Sequence, residues 1–155
     1  MRPKRVAPSR KLEVLFDALT RLVRVHRPIL AVMEGPSYNS TNKPFSLGEA
    51  YGICKLVLQQ NGVPLVIVAP KALKKFATGR GTAAKEAMVK SAGESGCPSD
   101  QHDICDAWMA ARLAQDILSG QACSGTRAAE EVVALLRQEI PTRVRKPIRA
   151  PEPTI

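Results

Sequence analysis

Pro28-Ile29-Leu30-Ala31-Val32-Met33-Glu34-Gly35 decides how the rest of the chain is read. Residues 29–33 are all apolar and lie between a proline and a glycine, a run too short for a helix. Unbroken apolarity over such a length suits a strand covered on both faces. Glu34 closes the run. In open α/β sheets ligands gather outside the carboxyl ends of strands, so a carboxylate here stands where a site is expected. The same residue also reads as a solvated turn acid.

Upstream, apolar residues recur at Leu12, Leu15, Phe16, Leu19, Leu22, Val23 and His26 after a Ser9 cap, the spacing of an amphipathic helix that ends before Pro28. Downstream, Ser46 and Glu49 have capping-box spacing, with Phe45 placed as a hydrophobic staple, and Asn61-Gly62 provides the stop. Residues 63–69 read as a second buried strand. Pro70 opens a lysine-rich helix that runs to Gly79, and Thr82 caps another that runs to about Ala92. A small-residue loop, a long helix over 104–118 stopped by Gly120, and a short helix over 127–139 complete the order. Such alternation predicts an α/β layer structure with at least two parallel strands joined by a crossover helix.

The 155 residues are 45% apolar and 24% charged, with a net charge of +9 and a sequence pI of about 9.8. That balance fits a globular domain and favours a polyanionic partner, because clustered Lys and Arg release counterions from phosphates. Residues 1–8 form a basic arm and residues 141–155 a basic, proline-rich tail, both with too little apolar surface to order themselves. Cys54, Cys97, Cys105 and Cys123 include no CxxC pair, and His26 and His102 stand far apart, which argues against a zinc site. Reduced, inert cysteines and no leader pattern before Lys11 point to the cytoplasm, and no stretch approaches a membrane span.

Two further acids share a helical face. Asp103 and Asp106 are three apart at a helix start, so both can turn toward one hard cation, which prefers oxygen ligands. The plain alternative is helix stabilisation, with Asp100 as cap and Asp103 favoured by the macrodipole. The run from Pro70 through Gly79-Arg80-Gly81 to Lys85 carries Lys71, Lys74, Lys75, Arg80 and Lys85 beside a glycine turn that lets a phosphate approach closely. It is not a Walker A loop, and a solvated basic helix reads equally well. In the polar loop 35–45, Tyr38 is the ring placed to wedge between bases. Trp108, inside the Asp103 helix, reads as core.

Taken in order, these motifs resemble the RuvC-type Holliday-junction resolvases of the RNase H-like superfamily. Ala31-Val32-Met33-Glu34 is followed by Gly48-Glu49-Ala50-Tyr51-Gly52, then by Lys74, Gly79-Arg80-Gly81-Thr82-Ala83 and Lys85, and finally by Asp103-Ile104-Cys105-Asp106-Ala107. The resemblance spans residues 9–120 and leaves 121–140 as a C-terminal helix. It implies an RNase H-like mixed sheet flanked by helices, and Mg²⁺- or Mn²⁺-dependent hydrolysis of branched or four-way-junction DNA in recombination and repair or in phage DNA processing. By the same resemblance Glu34, Asp103 and Asp106 are the catalytic metal ligands. Tyr38, Lys74, Lys75, Arg80 and Lys85 contact DNA, and the helix over 46–60 forms a homodimer interface. The family opens with a strand that supplies a first metal-binding Asp, whereas here the basic arm leads straight into a helix. An N-terminally truncated fold is therefore expected, and with it the alternative of a catalytically incomplete nucleic-acid-binding module.

Overall fold

The computed structural model describes residues 8–35 and 44–140. The arm apart from Pro8, the tail 141–155 and Tyr38 lie outside the described residues. The elements follow the order α1 (Pro8–His26), β1 (Ala31–Glu34), α2 (Pro44–Gln60), β2 (Leu65–Val68), α3 (Pro70–Thr78), α4 (Lys85–Glu94), α5 (His102–Ser119) and α6 (Arg127–Arg137). β1 and β2 form a two-stranded sheet. Its register is parallel, since the Ala31 N–H donates to the Pro64 carbonyl at 2.9 Å and the Gly35 N–H to the Val68 carbonyl at 2.8 Å. A parallel pair needs a crossover, and α2 supplies it.

The chain divides into two compact units. The first holds residues up to Ala31 together with 36–65, in which α1 packs on α2. Its core is Val23, Val57, Leu58 and Val63, with Phe16, Leu19, Ala31, Ile53 and Leu65 against it. Gly62 takes a positive φ of 67°, and the Val63 N–H returns to the Leu58 carbonyl, which closes α2 where Asn61-Gly62 predicts.

The second unit holds Val32–Gly35 and the described residues from Val66 onward. Within it α5 packs on α3, α4 and α6, and α3 packs on α4 and α6. The stripe Cys105, Met109, Leu113, Asp116 and Ile117 is buried along α5, the i, i+3, i+4 spacing of a single helical face. α6 is anchored by Val132, Val133 and Leu136, and its Thr126 cap accepts the Ala129 N–H at 3.3 Å. Leu113 and Ile117 are fully buried, and truncating either to Ala costs about 2–5 kcal/mol.

Five local expectations change. The first strand is Ala31–Glu34, because Ile29 is exposed and Leu30 enters the core ahead of the paired backbone. α2 begins at Pro44, so Ser46 lies inside the helix and Phe45 is no staple but 87% exposed. α4 begins at Lys85 with Ala84 at its cap position, because Thr82 is drawn into the turn that follows Gly79. The cap position of α5 is Gln101, with no side-chain cap, so Asp100 does not cap it. α6 stops at Arg137, two residues early, where the Gln138 N–H turns back to the Leu135 carbonyl.

Beyond α5 the chain is tied back by side chains. Asp116, 1% exposed, accepts the Cys123 N–H on Oδ2 at 2.9 Å. Arg137 of α6 donates to the Ile117 and Leu118 carbonyls at 3.1 and 3.4 Å, satisfying groups that the end of α5 leaves open. Gly120 sits at the crossing with φ 79°, and a Cβ there would collide with the Arg137 guanidinium. Gly120→Ala is therefore expected to destabilise by about 1–3 kcal/mol and to lower the thermal midpoint by several degrees. Adding Arg137→Ala relieves the collision but not the backbone strain, so the double variant should stay below wild type. A Gly120→Ala protein as stable as wild type would contradict this account.

Candidate nucleic-acid and metal site

The second unit contains every described residue of the expected acid and lysine set. Glu34 ends β1 as its exposed residue, after three half-buried ones. Asp103 lies in the first turn of α5, exposed, and Asp106 follows one turn later, half-buried. Burial of Cys105 between them sets the helix rotation that leaves both acids at the margin of the core. Lys74 is half-buried on the flank of α3, beside the buried Leu73 and Phe76.

Electrostatics connects these groups. The Glu34 carboxyl is pushed above its ordinary value, first by partial loss of solvent and then by the Asp106 charge, with Lys74 opposing. Asp106 is pushed up by burial and then by Asp103, while His102, Lys74 and Lys85 oppose the shift. The Asp106 charge acts on Glu34 and the Asp103 charge on Asp106, and among the described residues no three His, Cys, Asp or Glu side chains are gathered into a metal-holding group. His102, the first residue of α5, was not among the expected site residues; its one sequence signal is adjacency to Asp103.

The basic residues separate by environment. The Lys74 ammonium donates to the Ala83 carbonyl at 2.9 Å, which fastens the glycine turn to α3 while the lysine charge stays within reach of both acids. Gly79 ends α3 at φ 81°, its N–H on the Lys75 carbonyl. A Cβ on Gly81 would stand 3.0 Å from the Lys71 carbonyl oxygen, so the turn lies against α3 backbone. Lys85 opens α4, exposed and within electrostatic reach of Asp106. Arg80 is exposed at the turn. Lys75 instead pairs with Glu131 of α6 at 2.6 Å, and Arg127 holds the other carboxylate oxygen at 3.1 Å. Trp108 is half-buried and donates to Ser95 Oγ at 2.9 Å, as a structural residue does.

The profile of the family described as crossover junction endodeoxyribonuclease RuvC matches residues 2–111. The chain belongs to that family. The RuvC match ends within α5, and α6 lies beyond it. The crossover junction endodeoxyribonuclease RuvC of Pelotomaculum thermopropionicum is 30% identical over 90 residues, covering 56% of this chain and 55% of the relative. The chain thus spans about half the length of RuvC relatives such as this one. The Thermus thermophilus RuvC structure superposes with a TM-score of 0.61 at 20% identity over 73% of each chain. Thermus thermophilus RuvC in complex with Holliday junction substrate gives 0.57 at 17% identity over 73% of this chain and 74% of that one. Both establish the RNase H-like RuvC fold, to which the described residues contribute a parallel strand pair and its helices.

The carboxylate shifts act on stability with a definite sign. The folded chain holds these protons more tightly than the unfolded chain does, so stability falls as pH rises through the window between the ordinary and the raised values. The cost is complete above the raised values. Glu34→Gln is expected to raise the denaturation midpoint at neutral pH without added divalent ion. The gain should fade as the pH is lowered past the ordinary value of 4.5. Chemical denaturation at both pH values checks it, and a destabilised Glu34→Gln protein at neutral pH would refute the electrostatic reading.

Proposed function

We propose that this chain is a metal-dependent, structure-selective endodeoxyribonuclease acting on branched DNA, in which residues 9–120 form the catalytic domain. The observation that carries the reading is the charge coupling of Glu34, at a strand end, to Asp106, on a helix, with the Lys74 charge acting on both. Two carboxylates that repel each other, with hard oxygens and partial burial, offer the ligand chemistry that a Mg²⁺ or Mn²⁺ ion prefers. Glu34 and Asp106 would hold such an ion, and Asp103 adds a second acid on the Asp106 side. Such an ion would supply Lewis-acid polarisation of a phosphoryl oxygen and acidify a water.

The chain's own residues do the remaining work. Lys74, held by the Ala83 carbonyl, keeps one positive charge beside the acids and faces the scissile phosphate. Lys85 and Arg80 extend that charge over the glycine turn, along the path of the DNA backbone. Their contacts are to phosphate, so they position the strand without reading its sequence. Asp103 or Asp106 accepts the proton of the attacking water. α2 is the homodimer interface: Leu47 and Leu56 are 48% and 43% exposed, and a Cβ on Gly48 or Gly52 meets nothing within 4 Å, so a second helix can approach closely.

A labelled four-way junction with Mg²⁺ or Mn²⁺ tests the proposal. Nicking is expected, and Glu34→Gln or Asp106→Asn should reduce it by at least ~100-fold. Full activity in either variant removes these residues from the site. Salt-sensitive junction binding with no nicking under any divalent ion would instead identify a catalytically incomplete binding module, a reading favoured by the lack of a gathered three-ligand group among the described residues.

The Lys75–Glu131 pair supplies a separate test of the DNA surface. Glu131 is held below its ordinary value by Lys75 and Arg127, so it stays charged and occupies Lys75. Glu131→Gln should free Lys75 for phosphate, tighten DNA binding at low salt several-fold, and steepen the salt dependence by about one counterion. Unchanged affinity and slope would place Lys75 outside the DNA path.

A further inference from the structure

The sequence scatters its four cysteines, but the fold brings two of them together. Cys97 ends the turn after α4, where its N–H is fixed on the Ala92 carbonyl at 2.9 Å. Cys105 lies in α5, its N–H on the Gln101 carbonyl at 2.9 Å. Both thiols converge on one acceptor, the Ser99 carbonyl, at 3.5 Å from Cys97 and 3.2 Å from Cys105. The scaffold on either side is braced. Trp108 donates to Ser95 Oγ at 2.9 Å, and Ser95 Oγ donates to the Ala92 carbonyl at 2.8 Å. Cys97 is half-buried, whereas Cys105 is fully buried.

We propose that Cys97 and Cys105 are a dithiol modification site, oxidised reversibly to an intrachain disulfide by a low-molecular-weight disulfide such as oxidised glutathione. The accessible Cys97 sulfur attacks one glutathione sulfur. The glutathione S–S bond breaks, a Cys97–glutathione bond forms, and one reduced glutathione leaves. The Cys105 sulfur then attacks Cys97, displacing the second glutathione. The two protein thiols are oxidised by two electrons, the oxidant is reduced to two thiols, and the two protons pass to the departing glutathiones. Drawing the sulfurs to the ~2.05 Å of a disulfide tightens the loop over 97–101 against α5. The first two turns of α5 carry His102, Asp103 and Asp106, so the bond pins the helix start that bears them. Cys54 and Cys123 have no such neighbour among the described thiols and stop at mixed disulfides or remain free.

The test uses the full chain and needs neither DNA nor metal, so its outcome is separate from that of the nuclease reading. The folded protein is incubated with oxidised glutathione, alkylated, digested with trypsin and weighed. No Lys or Arg lies between Lys90 and Arg112, so both cysteines fall on one peptide. The expected product is that peptide lighter by two hydrogens and free of alkyl groups, restored by dithiothreitol. Hydrogen exchange over residues 101–106 should slow in the oxidised form. Cys97→Ser should leave Cys105 reduced, and Cys105→Ser should stop at a glutathione adduct on Cys97. A wild-type peptide that carries two alkyl groups, or glutathione on Cys97 with no closure, overturns the proposal.

Discussion

Burial of one face of α5 is the constraint on which the second unit depends. The Cys105, Met109, Leu113 and Ile117 stripe packs this helix among α3, α4 and α6. A helix whose apolar stripe is fixed has no rotational freedom left, so every other side chain on it is placed as well. Asp103 and Asp106 are carried to the margin of the core as a consequence. Asp116, on the buried side, is taken inside, where its Oδ2 accepts the Cys123 N–H. The same helix therefore holds acids with opposite fates, one group left to face charge and the other used to fasten the chain.

The proposed site is correspondingly an edge feature built from a strand end and two helices. Glu34 is delivered by strand pairing, Asp106 by helix packing, and Lys74 by the buried Leu73 and Phe76 on either side of its own position in α3. Partial burial makes the charges matter, because a carboxylate with fewer waters responds more strongly to its neighbours. The opposed signs of Lys74, Lys85 and His102 keep that repulsion from growing without limit. α6, outside the RuvC family match, adds a further term by engaging Lys75 through Glu131 and closing the end of α5 through Arg137.

The alternation of helices and strands was legible because it rests on local periodicity and on Pro and Gly punctuation. Gly79, Gly62 and Gly120 stop helices where their sequence positions suggest, each with a positive φ. Caps were less legible. Ser46, Thr82 and Asp100 all have the right chemistry but not the position, since a helix starts where packing and the preceding turn allow. Pro44 begins α2 two residues early, and the turn after Gly79 delays α4 to Lys85. A capping signal worth about 1 kcal/mol does not override such constraints. Phe45 follows directly, since its expected role required a helix beginning at Ser46.

By itself, the sequence determined the order of elements, the strand that ends in Glu34, the shared helical turn of Asp103 and Asp106, and the basic character of the run from Lys71 to Lys85. All of these depend on neighbours within a few residues. Only the tertiary structure decided that the Asp106 charge acts on Glu34, that Lys75 pairs with Glu131 while Lys74 is tied to the Ala83 carbonyl, and that Cys97 and Cys105 share the Ser99 carbonyl. Each of these is set by how helices rotate and pack to bury their apolar faces. That rotation is a property of the assembled core, which no local spacing encodes.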